Sequence, residues 1–127
     1  MVLIDTPVWI RFLANRAPYA QELDQLLAGE EVLGHELVYG ELLIGDSGGR
    51  RKFLTLYERI PQAHTVPHPE VVEFVRHRRL HGRGIGWIDA HLLASALVEH
   101  SHLWTADARL SAIAAELGIA YKNFGSA

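Results

Sequence analysis

Four acids stand where carboxylates are awkward to keep. Asp5 and Asp107 come at or just after the ends of short apolar runs, Val2 to Ile4 and Leu103 to Thr105. That places them at the carboxyl ends of predicted strands, the edge at which open α/β sheets bind ligands. Glu41 lies four residues after Leu37, three after Val38 and three before Ile44, on the apolar stripe of a predicted helix. Asp89 repeats the pattern, with Leu92, Leu93 and Ala96 three, four and seven residues beyond it. Each has an ordinary explanation, since Asp caps helices and a single acid on a stripe is often a satisfied core group. As a set they are harder to explain away. An unpaired buried carboxylate costs several kcal/mol, so each must be protonated, paired with a cation or bound to metal. Oxygen donors in a cluster suit hard divalent ions such as Mg²⁺ or Mn²⁺, and the absence of cysteine removes thiolate chemistry altogether. The reaction such a site supports is attack of activated water on a phosphodiester, with in-line departure of the leaving oxygen and no protein nucleophile. The hydroxyls of Thr6 and Thr105 are placed to orient water or phosphate, although Thr is also an ordinary strand former.

Other residues carry weaker signals. Arg76, Arg78, Arg79 and Arg83, interspersed with His77 and His81, form the densest basic stretch and read either as a nucleic-acid backbone track or as a solvated helix face. Arg50, Arg51 and Lys52 present the same choice. His77 and His81 are one helical turn apart with no third ligand at suitable spacing, so a surface pair is expected. His91 falls on the side of its helix away from Asp89. Trp9 and Trp87 are expected to be buried by packing rather than to stack on bases.

The elements that must position these groups can be read along the chain. Val2 to Ile4 predicts a strand, followed by a helix capped at Asp5 or Thr6 with Pro7 in its first turn. Helices are predicted over Pro18 to Ala28 with a stop at Gly29, Leu37 to Ile44, Arg50 to Ile60, from Pro69 through Val75, Trp87 to Glu99, and Ala108 to Leu117 with a stop at Gly118. Further strands are predicted at Glu31 to Gly34, His64 to Val66, Leu103 to Thr105 and Ile119 to Tyr121. Strands alternating with helices imply a mostly parallel sheet covered on both faces, a three-layer α/β/α domain. At 127 residues and 49% hydrophobic content, residues 1–127 are expected to form a single domain. No apolar run approaches a membrane span and the start lacks a signal-peptide pattern, so a cytoplasmic protein is expected. The formal charge of −3 argues against a generally basic nucleic-acid binder. Setting the four clustered acids aside, however, leaves a nearly neutral remainder in which local patches decide.

The run Val-Leu-Ile-Asp-Thr-Pro-Val-Trp-Ile, then Glu-Leu-Leu-Ile-Gly, Ile-Asp-Ala-His-Leu-Leu-Ala-Ser-Ala-Leu and Leu-Trp-Thr-Ala-Asp, in this order, resembles the PIN domain across nearly the whole chain. The likeness is closest to its VapC toxins, the ribonuclease halves of bacterial toxin–antitoxin pairs. The resemblance implies Asp5, Glu41, Asp89 and Asp107 as metal ligands, with Thr105 beside them. It also implies dependence on Mg²⁺ or Mn²⁺, a homodimer, and an antitoxin that sets a basic side chain among the acids and makes any DNA contact on the toxin's behalf. One departure stands out: the family commonly has Ser two residues after its first Asp, where this chain has Pro7, so a hydroxyl and a backbone donor are missing beside Asp5. Two other readings compete. An aspartyl-phosphate phosphatase of the haloacid-dehalogenase kind needs a second Asp at that position, and Pro7 cannot serve. A PIN-like module that binds RNA or protein without cutting would not require all four acids.

Overall fold

The computed structural model describes residues 1–121, so the expected single domain over 1–127 extends past them. The β1 strand, Val2–Ile4, is buried at all three positions. Because successive strand side chains point to opposite faces, both faces of the sheet are covered at its centre. Parallel neighbours flank it, β2 (Val32–Leu33) on one side and β3 (His102–Trp104) on the other, in the order β2-β1-β3. The chain runs from β1 outward to β2 through α1 (Thr6–Leu13) and α2 (Tyr19–Ala28). It then returns to the far side of β1 through α3 (Glu36–Ile44), α4 (Arg51–Tyr57), α5 (His68–His77) and α6 (Trp87–Val98), and α7 (Ala108–Glu116) follows β3. The connection after β1 leads toward β2 and the one after β3 leads the other way, to the bridge at Ala120, which opens a crevice between the carboxyl ends of β1 and β3, the switch point where α/β folds place ligands.

The expected three-layer α/β/α arrangement is present, with two differences in strand content. His64 to Val66 forms no strand. The His64 N–H donates to Glu99 Oε2 at 2.8 Å and its carbonyl accepts the Ser95 hydroxyl at 2.7 Å, so a side chain of α6 and that of its C-cap satisfy backbone groups that a ladder would otherwise have used. Ile119 to Tyr121 contributes one parallel bridge, Leu103 to Ala120, beside β3. The helix stops expected at Gly29 and Gly118 are present, Gly29 as the C-cap of α2 and Gly118 directly after the Leu117 cap of α7. The left-handed residue after α2 is Glu30 rather than Gly29, and Asn15, Arg79 and His100 play the same part after α1, α5 and α6, whereas α7 ends at Gly118 with φ of 75°.

Candidate functional site

The carboxyl end of β1 delivers Asp5 directly into the crevice, where the residue is 4% exposed. Asp5 caps α1: its Oδ1 accepts the Thr6 N–H at 2.8 Å, and its carbonyl receives the Val8 and Trp9 amides. Pro7, in the first turn, has no amide to offer and interrupts none of these bonds. The second carboxylate oxygen of Asp5 accepts the Thr105 hydroxyl at 2.8 Å. Thr105 in turn accepts the Asp107 N–H at 3.1 Å, and the Thr6 hydroxyl donates to Glu41 Oε1 at 2.6 Å. A continuous hydrogen-bonded chain therefore runs from Glu41 on α3 through Thr6, Asp5 and Thr105 to the backbone of Asp107, linking the ends of β1 and β3.

Asp89 joins through space. Burial raises the Asp5 pKa from 3.8 to about 6, the Thr105 bond opposes the rise, and the charges of Asp89 and Glu41 add to it. Asp89 Oδ2 itself accepts the Gly86 N–H at 2.8 Å at the start of α6. Asp107 is the most solvent-accessible of the four, and its Oδ1 caps α7 by accepting the Leu110 N–H at 2.9 Å. Hydroxyls and amides occupy one oxygen or both on every acid, and among the described residues no three His, Asp or Glu side chains close around a common point within ligand reach. By donor type the set nevertheless fits a hard divalent ion. It consists of carboxylates held by neutral donors, with the like charges of Asp89 and Glu41 crowding the buried Asp5.

A cavity of about 630 Å³ lies at the opposite, amino edge of the sheet, lined among others by Val2, Glu22, His102 and Gly118.

The basic stretch divides. Arg76, Arg78 and Arg79 are exposed, while the Arg83 guanidinium forms a bidentate pair with Glu116 on α7. Both members of that pair keep substantial solvent contact, so it is weak and phosphate could replace Glu116. Trp9 is buried against Phe12, Phe53 and Tyr57 as expected. Trp87 corrects the expectation, being 43% exposed at the start of α6. A residue the sequence reading passed over is His35, fully buried between β2 and α3; its one visible signal is its place just before a helix.

Residues 2–116 match the PIN domain family. The chain is 46% identical to Ribonuclease VapC32 of Mycobacterium tuberculosis, in both the CDC 1551 / Oshkosh and the H37Rv strains, over 121 residues covering 94% of this chain and 95% of that protein. A solved structure, described as the crystal structure of FitAcB from Neisseria gonorrhoeae, superposes with a TM-score of 0.61 over 91% of this chain and 94% of the other. At 22% identity that likeness speaks to the fold.

Proposed function

The chain belongs to the PIN domain family, and from that premise we propose that it is a ribonuclease acting as the toxin of a toxin–antitoxin pair, with Asp5, Glu41, Asp89 and Asp107 holding Mg²⁺ or Mn²⁺. The observation that carries this reading is the Asp5 carboxylate. It is buried at the switch point of the sheet, bonded through two threonines toward Glu41 and Asp107, and under the charge of Asp89. Burial first, and then the charges of Asp89 and Glu41, raise its proton affinity, and a divalent ion bound there would offset both effects. Bound there, the ion would activate water and offset phosphate charge.

The protein's own contribution is positioning. Thr105 and the Thr6 amide fix the plane of the Asp5 carboxyl, and the Thr6 hydroxyl draws Glu41 to the same crevice. The Gly86 and Leu110 amides each hold one oxygen of Asp89 and Asp107, leaving the other to face a ligand. With Pro7 beside Asp5, orientation of a phosphate on that side falls to Thr6 and Thr105. The partner read from the resemblance is an antitoxin that places an Arg or Lys among these acids, since a cation satisfies clustered carboxylates much as metal does. No helix among the described residues is long and apolar enough to cross a membrane, and we assign the activity to the cytoplasm.

The test is cleavage of mixed RNA by the purified chain with Mn²⁺, beside Asp5→Asn and Asp89→Asn. Each variant is expected to lose at least about a hundredfold in rate. Full cleavage by both, with contaminating nuclease excluded, would overturn the assignment.

A further inference from the structure

A groove that the carboxylate chemistry does not use lies beside the first turn of α6. One stretch, about 380 Å³, is lined by Val72, Val75, Arg76, His81 and Trp87. A second stretch of about 190 Å³ shares Val75, His81 and Trp87 and reaches Gly86. Trp87 directly follows Gly86, whose amide holds Asp89, so the groove and the acid site meet at one turn of helix.

An indole this exposed forgoes the burial its large apolar surface would reward. Nor is it loose. The His68 ring lies 5.2 Å from it, centroid to centroid, and His91 meets it edge-on at 5.3 Å. The floor is valine, the rim carries Arg76 and His81, and no carboxylate appears among the lining residues. A flat aromatic wall, an apolar floor and a cationic rim are complementary to a planar group attached to a phosphate.

We propose that this groove receives an unpaired nucleobase of the RNA, stacked on Trp87, with Arg76 and His81 on the adjoining phosphate. This rests on the ribonuclease reading and gives it a preference: a base within a duplex must first be unpaired and unstacked to enter, so single strands and loops are favoured over helical RNA.

Trp87 is the exposed member of three tryptophans, Trp9 and Trp104 being buried, so its fluorescence reports on the groove. The full chain is titrated in EDTA with short single-stranded oligouridylate or oligoadenylate, and with a duplex of equal length. Single strands are expected to quench the emission and the duplex to leave it nearly unchanged. Trp87→Ala should weaken binding about tenfold or more by fluorescence anisotropy of a labelled strand, with Trp87→Phe recovering most of it. In the Mn²⁺ assay the loss should fall on KM rather than kcat. If Trp87→Ala binds and cleaves like the parent, the groove assignment falls and the ribonuclease reading stands. If Trp87→Ala instead halves the mass seen by light scattering and leaves RNA affinity unchanged, the groove is a self-association surface and the proposal is overturned. If the parent neither binds nor cleaves RNA, both readings fall.

Discussion

Asp5 and His35 titrate in opposite senses within one pH window. Burial, then the charges of Asp89 and Glu41, lift Asp5 from 3.8 to about 6. Its ionised form therefore burdens the fold above pH 6, a burden relieved as pH falls toward 3.8. Metal-free Asp5→Asn is accordingly expected to be more stable than the parent at pH 7 by about 1–3 kcal/mol in urea unfolding, with the gain fading toward pH 4. A variant less stable at pH 7 would show that the threonine bonds outweigh the crowding. His35 runs the other way. Burial first, and then the charge of His91, lower it from 6.5 to about 4. Its Nδ1 accepts the Leu37 N–H at 3.0 Å, so the proton sits on Nε2, facing the Ser95 oxygen at 3.0 Å, and Ser95 donates onward to the His64 carbonyl. A depressed folded pKa means that this contribution is complete above pH 6.5 and is lost as pH falls toward 4, by up to about 3 kcal/mol. In urea unfolding between pH 7 and 4, removing the opposing carboxyl by Asp5→Asn should steepen the loss of stability, and His35→Gln should flatten it. Superimposable profiles for the two variants would refute the assignment.

Among the elements, the segment between α5 and α6 is the one whose placement decides where Asp89 stands. It is held to α7 by the Arg83–Glu116 pair and by Arg109, which packs over Gly84. A β-carbon at Gly84 would stand 2.7 Å from Arg109 Nη1 and 2.8 Å from its Cδ, at a φ of +82° that side chains rarely adopt. Gly84→Ala is expected to cost about 1–2 kcal/mol by thermal unfolding. Adding Arg109→Ala should return only the part owed to the clash. Full recovery in the double variant would mean that the backbone there relaxes freely. The segment between α4 and α5 shows the limit of periodicity as a guide. Helices were legible because their apolar spacing follows the helical repeat, but His64 to Val66 offers only His-Thr-Val, too short a run to show a strand period. Its backbone partners, Glu99 and Ser95, lie more than thirty residues away. Glu41 gives a second case. Its predicted apolar stripe runs through Ile44, which is 88% exposed, and what holds Glu41 inward is Thr6, on another helix.

For the molecule as a whole, Ile10, Leu13, Leu43, Ile44 and Leu56 are exposed on α1, α3 and α4, with α1 packed on α3 and α3 on α4. Apolar side chains gathered on adjoining helices are characteristic of surfaces that associate. We predict a homodimer, so light scattering should give twice 14.2 kDa, and Ile44→Asp with Leu56→Asp should return the monomer with unchanged far-ultraviolet circular dichroism. A parent that stays at monomer mass when concentrated would refute this. Partner and metal are expected to compete for the acids. By linkage, saturating Mn²⁺ should weaken antitoxin binding by the factor by which antitoxin weakens Mn²⁺ binding, as calorimetry can measure. Equal antitoxin affinity with and without Mn²⁺ would place inhibition elsewhere.

The sequence by itself determined the layered α/β domain, its parallel sheet and the family to which the chain belongs, and it singled out four acids as candidates, because apolar period, strand ends and ordered short motifs are local properties that survive without coordinates. Tertiary structure alone decided the rest. It joined Glu41 to Asp5 through Thr6 across thirty-five residues and Thr105 to Asp5 across one hundred. It tied Arg83 to Glu116 and left Trp87 in solvent beside a groove while burying Trp9. Each of these outcomes depends on which distant side chain occupies the neighbouring volume, and spacing along the chain does not encode that.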